Sequence, residues 1–193
     1  MSKDLKKCVE FHGHKCMGLL IGYRAAKYAL KKLKEKKDGD EDIVAIVENS
    51  SCFVDAVSVI TGCSFGKGNL IFKDYGKMAF SLISRRTGKG VRVYLDHTKM
   101  KRDPKDVELF NKILSGNANE KEKKIFEKIK KQREKEFMSM KDEDIFIVKD
   151  YKGEIPPKAR IYGNIICSKC GESVMETKIK YIDSKPICPE CLE

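Results

Sequence analysis

Apolar residues recur along the first third of the chain at the spacing of a helix face: Leu19, Tyr23, Ala26, Leu30 and Leu33, in a run from Gly18 to Lys37 that stops at Asp38-Gly39-Asp40. The pattern then changes period. Ile43 to Val47 is a short β-branched run bounded by that acidic turn and by Asn49-Ser50-Ser51, and it reads as a buried strand. Cys52 to Thr61 returns to helical spacing, with Phe53, Val57 and Ile60 on one side, Ser50 or Ser51 as N-cap and Gly62 as the stop. Lys77 to Ser84 and Val91 to Asp96 read as strands joined by Thr87-Gly88-Lys89-Gly90, and Leu70 to Phe72 as a further one.

Beyond Asp103-Pro104, Val107, Phe110, Ile113 and Leu114 form one narrow apolar seam, and Ile125, Phe126, Ile129, Arg133 and Phe137 form a second after Gly116-Asn117. This spacing predicts a helical hairpin over 104–140. Ile145 to Val148 is again strand-like, and Glu154-Ile155-Pro156-Pro157 is extended because each proline disfavours a helical residue before it. The expected organisation is a mixed α+β core over 1–150, a linker over 151–160 and a small module over 161–193. There is no internal repeat.

The chain has 193 residues, 41% hydrophobic and 36% charged, the balance of a folded globular protein. It carries no apolar run of the roughly 18 residues a membrane helix needs and no apolar signal core behind MSKDLKKCVE, so a cytoplasmic protein with reduced thiols and no membrane partner is expected. The formal charge of +11 reads as a solvated surface, because lysines are interleaved with glutamates and Gln occurs once, at Gln132. The most basic stretch, Asn119 to Lys141, has nine Lys or Arg against five Glu and reads the same way. Nucleic acid is therefore not an expected partner, although a zinc-ribbon nucleic-acid module remains an alternative.

Cys167-Ser-Lys-Cys170 and Cys188-Pro-Glu-Cys191, separated by 17 residues, have the spacing of a four-cysteine zinc site. Four thiolates match the soft tetrahedral preference of Zn²⁺ and leave no position for substrate, so this zinc is expected to be structural. Gly171 offers the positive-φ residue a knuckle uses. Val174 to Ile182 is β-like and should form a hairpin linking the knuckles, with Asp183-Ser184-Lys185-Pro186 as the turn. A rubredoxin-like iron site is the rival, and Leu192 in place of a second knuckle glycine argues against it.

A second set of donors stands near the N-terminus. His12, His14 and Cys16 fall within five positions just before the first predicted helix, whose positive end favours thiolate. Cys52 would open the second predicted helix, with Asp55 on the same face. His14, Cys16 and Cys52 are the first candidates for a partly open second metal site, zinc being the expected ion, with His12 and Asp55 next. Cys16, Cys52 and Asp55 are the candidate catalytic groups if the cleft is an active site. Cys63 is eleven residues past Cys52, about 16 Å along a helix, and is expected to be a loop thiol. GCSFGKG lacks the phosphate-loop spacing.

Phe11-His12-Gly13-His14-Lys15-Cys16-Met17-Gly18-Leu19 with Gly22 and Arg24, Cys52-Phe-Val-Asp55-Ala56 with Thr61-Gly62-Cys63 and Gly66-Lys67-Gly68, and Asp74-Tyr-Gly76-Lys77-Met-Ala79 together resemble the FmdE family, which takes its name from formylmethanofuran dehydrogenase. The resemblance covers nearly the whole chain, the ribbon looking like an extension that many members carry. It implies an α+β, often dimeric core whose HGHxC and CxxD elements line a metal-binding cleft. It also implies an archaeal accessory subunit of the molybdenum or tungsten enzyme that reduces CO2 onto methanofuran in methanogenesis, partnered by other dehydrogenase subunits but not itself holding the pterin. Met17 stands where the family usually has proline. A stand-alone metal- or thiol-dependent enzyme is the alternative. A homodimer is expected, with its interface near the cleft, because the predicted core is modest for its length.

Overall fold

The structure is a computed structural model that describes residues 1–37, 39, 41–100 and 103–193. The turn expected at Asp38-Gly39-Asp40 lies, apart from Gly39, outside the described residues. The chain divides into two units, Met1–Lys158 and Ala159–Glu193.

The first unit begins with a helix that the apolar pattern does not announce, α1 (Lys3–His12), N-capped by Ser2 and closed by Gly13 in the left-handed conformation. Its signal is present but short: Leu5, Cys8 and Val9 face the core, and Leu5 and Cys8 are buried. α2 (Met17–Leu33) follows, N-capped by Cys16 and ended by Lys34 at φ 56, four residues before the end that the lysine-rich tail suggests. β1 (Ile43–Val47), α3 (Cys52–Thr61) and β2 (Leu70–Phe72) have the bounds expected, and Ser51 is the N-cap of α3. β3 (Ala79–Ser84) and β4 (Gly90–Leu95) form an antiparallel pair. The helical hairpin is α4 (Pro104–Leu114) and α5 (Glu120–Ser139), the latter opened by a capping box between Asn119 and Glu122. One turn, α6 (Asp142–Ile145), leads into β5 (Phe146–Asp150).

The five strands make one mixed sheet in the order β2-β1-β3-β4-β5, with β1 and β2 parallel and every other pairing antiparallel. The α+β class expected from the pattern is the class observed. Alternation assigns the two faces. Ile43, Ala45 and Val47 of β1 join Phe80, Leu82, Val91, Val93 and Leu95 under α2 and α3. Val44 and Ile46 pack with Ile83, Ile71 and Tyr151 on the other face. That second cover is why β1 is buried along its whole length.

α2 and α3 lie unusually close. A Cβ at Gly22 would stand 2.2 Å from the Phe53 carbonyl oxygen, and one at Gly18 would stand 3.2 Å from Cys52 Cβ. Two glycines one helical turn apart thus let the α2 backbone rest on the first turn of α3. On the opposite side of α2, the buried Arg24 donates to the carbonyls of Phe137 and Met140 and to Asp142 Oδ1, and its guanidinium lies over the Phe137 ring. Arg24 therefore anchors the end of α5 to the core. Arg24→Met should destabilise the unit by about 2 to 3 kcal/mol, since it orphans two carbonyls and strips a carboxylate of its partner. A urea midpoint unchanged from wild type would contradict this role.

The second unit carries two short hairpins, β6 (Asn164–Ile166) with β7 (Ser173–Met175) and β8 (Lys180–Ile182) with β9 (Lys185–Ile187). This corrects the single strand expected over Val174–Ile182. A 3-10 turn at Glu176–Lys178 breaks that segment, so β7 pairs back across the first knuckle while β8 pairs forward to the second. Asp183 and Ser184 take positive φ of 47° and 65° and close the β8–β9 hairpin as a two-residue turn.

Candidate functional site

In the second unit, Cys167, Cys170, Cys188 and Cys191 bring their four Sγ atoms within 4.8 Å of one another. Cys170 and Cys188 are 3.9 Å apart, close to the roughly 3.8 Å edge of a tetrahedron of thiolates around Zn²⁺. Gly171, at φ 79°, donates its N–H to the Cys167 carbonyl and turns the chain at the first knuckle, as expected of it. Backbone N–H groups of Lys169 and Cys188 point at Cys167 Sγ. Amides of Cys170 and Cys188 hold the Cys167 thiol down to about 6, whereas Cys191, donating to Cys188 and set among the other thiols, is pushed up to about 12. The donor set fits a zinc ion with no open position, so a structural ion is the one these residues would hold.

The N-terminal donors also converge, with one exchange. His12 Nε2, Cys16 Sγ and Cys52 Sγ lie within 4.8 Å of one another, and His12 to Cys16 is 3.8 Å, against about 3.6 Å for a sulfur–nitrogen edge around tetrahedral zinc. His14, the imidazole expected to take part first, is not in the triangle. The cause is the left-handed Gly13: it ends α1 so that His12, in the last helical turn, faces Cys16 four residues on, while His14 follows the reversal and is exposed with its ring 4.6 Å from that of His12. Asp55 is not in the triangle either. Its Oδ2 is 2.7 Å from His12 Nδ1, so it fixes the ring with Nε2 toward the sulfurs, the arrangement in which a carboxylate orients a metal-binding histidine.

Each donor is held by an element. Cys16 caps α2 and accepts from Leu19 N–H, and Cys52 is the first residue of α3, brought alongside by Gly18 and Gly22. Burial, and next to it the Cys16 thiol, pushes the Cys52 thiol up. A cation between the thiols would reverse that preference, because a coordinating thiol is deprotonated outright. Cys63, beyond the Gly62 cap, is fully buried and apart from the triangle. Two contributors carry no motif in the sequence. The buried Glu134 of α5 pairs with Lys15 at 2.6 Å and ties the donor loop to the hairpin. A cavity of about 280 Å³ lies beside Cys16 and Met17, walled by Phe110, Phe126 and Ile129.

Comparison with known proteins matches these parts. Residues 11–147 match the family described as "FmdE, Molybdenum formylmethanofuran dehydrogenase operon", and residues 160–193 match the prokaryotic dksA/traR C4-type zinc finger. A protein of Archaeoglobus fulgidus named "Probable S-adenosyl-L-methionine-binding protein" is 33% identical over 93% of this chain, which spans 51% of that relative. The crystal structure of a tungsten formylmethanofuran dehydrogenase FmdE-like protein from Syntrophus aciditrophicus superposes with a TM-score of 0.64 at 29% identity, over 97% of this chain and 89% of that one. With most of its length matched to one family model and its fold and donor residues laid out as described, the chain belongs to the FmdE family and ends in a C4 zinc finger.

Proposed function

We propose that this is an FmdE-type metal protein with two unlike sites, a closed structural zinc in the ribbon and an open metal centre held by His12, Cys16 and Cys52. The observation that carries the second site is the triangle itself: one imidazole nitrogen and two sulfurs from three separate segments, with the imidazole oriented by Asp55. Three protein donors leave a fourth position for water or substrate, the pattern of catalytic rather than structural zinc. When bound, such an ion supplies Lewis acidity and a more acidic water. Asp55 would hold the His12 proton on Nδ1, and Lys15 with Glu134 would keep the donor loop in place.

The accessory role beside formylmethanofuran dehydrogenase rests on the family's description and on the name of the Syntrophus neighbour. The ligand for which the Archaeoglobus relative is named is not carried over, because the chain spans about half of that protein. Elemental analysis should return two metal equivalents for the intact chain and one for Cys52→Ser, whose ribbon is unchanged. Asp55→Asn should retain the cleft metal with about 10- to 100-fold weaker affinity. A single equivalent in the wild type, insensitive to Cys52→Ser, would refute the open centre.

A further inference from the structure

The cavity beside Cys16 has a chemistry of its own. Its walls are the apolar side chains of Met17, Phe110, Phe126 and Ile129, with Phe110 and Phe126 stacked at 5.9 Å and 28° across the seam between α4 and α5. Its volume of about 280 Å³ is close to twice the roughly 150 Å³ that encloses a benzene ring, so it admits a fused ring with a short arm. Among the described lining residues Lys130 and Arg133 are cationic and Asp106 is anionic. Lys130 also lies 3.8 Å from Glu127, an exposed pairing that a ligand anion could displace at small cost. Cys16 belongs both to the cavity wall and to the donor triangle.

We infer that this cavity is the binding site for a small organic anion with a planar, apolar body, held with its ring against Phe126 and Ile129 and its acid group toward Lys130, next to the metal centre. Apolar walls with a few placed polar groups are the usual composition of a small-molecule site. The stacked phenylalanines favour a ring over a flexible chain, because an aromatic body meets them in offset contact without losing rotamer freedom. Lys130 at the rim, released from its exposed pairing with Glu127, selects an acid over its neutral analogue. Asp106 accepts from a ring N–H or hydroxyl. The inference rests on the proposed metal centre only through the shared Cys16.

The test titrates the full, metal-loaded chain with naphthalene-2-carboxylate and, separately, with naphthalene-2-methanol, with metal content measured on the same samples. One carboxylate should bind per chain, the alcohol more weakly, and Phe126→Ala should weaken the carboxylate by about tenfold or more. Lys130→Glu, a change at a partly exposed position that leaves the apolar wall intact, should erase the preference for the carboxylate. No binding at millimolar carboxylate, equal binding of the alcohol, or indifference to both substitutions would overturn the inference. Two equivalents of metal with no probe bound would overturn the cavity and leave the metal centre standing. Probe binding in a protein that holds only the ribbon metal would do the reverse.

Discussion

Removing the ribbon's metal is expected to unfold Ala159–Glu193 completely while Met1–Lys158 stays folded. Within the 35 residues of the ribbon, all of them described, only Cys167 and Cys188 are buried, and each strand is three residues long. Two hairpins of that length with no apolar core cannot offset the loss of chain entropy. Structural zinc supplies about 10 to 16 kcal/mol to such modules, far more than anything else visible in this one. Cys170→Ser should therefore collapse the β6–β9 amide dispersion in an NMR spectrum and leave the β1–β5 resonances in place. Persistence of the ribbon's dispersed resonances after chelation would show that the metal is not what folds it. The pH dependence has a fixed sign. In the unfolded, metal-free ribbon the four thiols titrate near the ordinary cysteine value of about 8.5, so each is mostly protonated at neutral pH and metal displaces its proton. Metal affinity should thus rise with pH through the neutral range and level off once the thiols ionise by themselves, above about 8.5. Calorimetry in buffers of different ionisation enthalpy should register proton release on loading.

Gly22→Val should be the most damaging single change in the first unit. The first added carbon would lie 2.2 Å from the Phe53 carbonyl oxygen and 2.9 Å from its Cα, and these are backbone atoms of a helix that cannot rotate away. Relief requires α2 and α3 to separate, opening the core around the fully buried Leu19, Phe53, Ala56 and Val57. A cost of about 4 kcal/mol or more follows from overpacking together with the looser core that the separation leaves. That corresponds to a fall of roughly 10 °C in the melting temperature of the unit. The same separation moves Cys52 from Cys16, so the variant should also lose the proposed cleft metal while keeping the ribbon's. A melting temperature within about 2 °C of wild type would refute the close approach.

Much of the local structure is legible in the amino-acid pattern. The limits of β1, α3 and β2 follow from changes of apolar period and from the Ser51 and Gly62 signals, which act within a few residues. The hairpin seams are readable for the same reason. α1 is not, although Leu5, Cys8 and Val9 have helical spacing, because three apolar positions among lysines fall short of a face that would hold a ten-residue helix without the core it packs on.

The ribbon's ligands are determined by sequence alone, since a CxxC pair converges on one ion through the geometry of its own turn, and only the assignment of its strands needs the fold. The cleft is different. Its three candidate donors come from the end of α1, the cap of α2 and the start of α3, with 35 residues between Cys16 and Cys52, so spacing can nominate them but not choose among them. The reversal at Gly13 selects His12 over His14, the Gly18–Gly22 contact brings Cys52 to Cys16, and Asp55 becomes the partner of His12 rather than a donor. Each of these depends on where one helix lies against another, which packing of the whole core determines and no short stretch of sequence encodes.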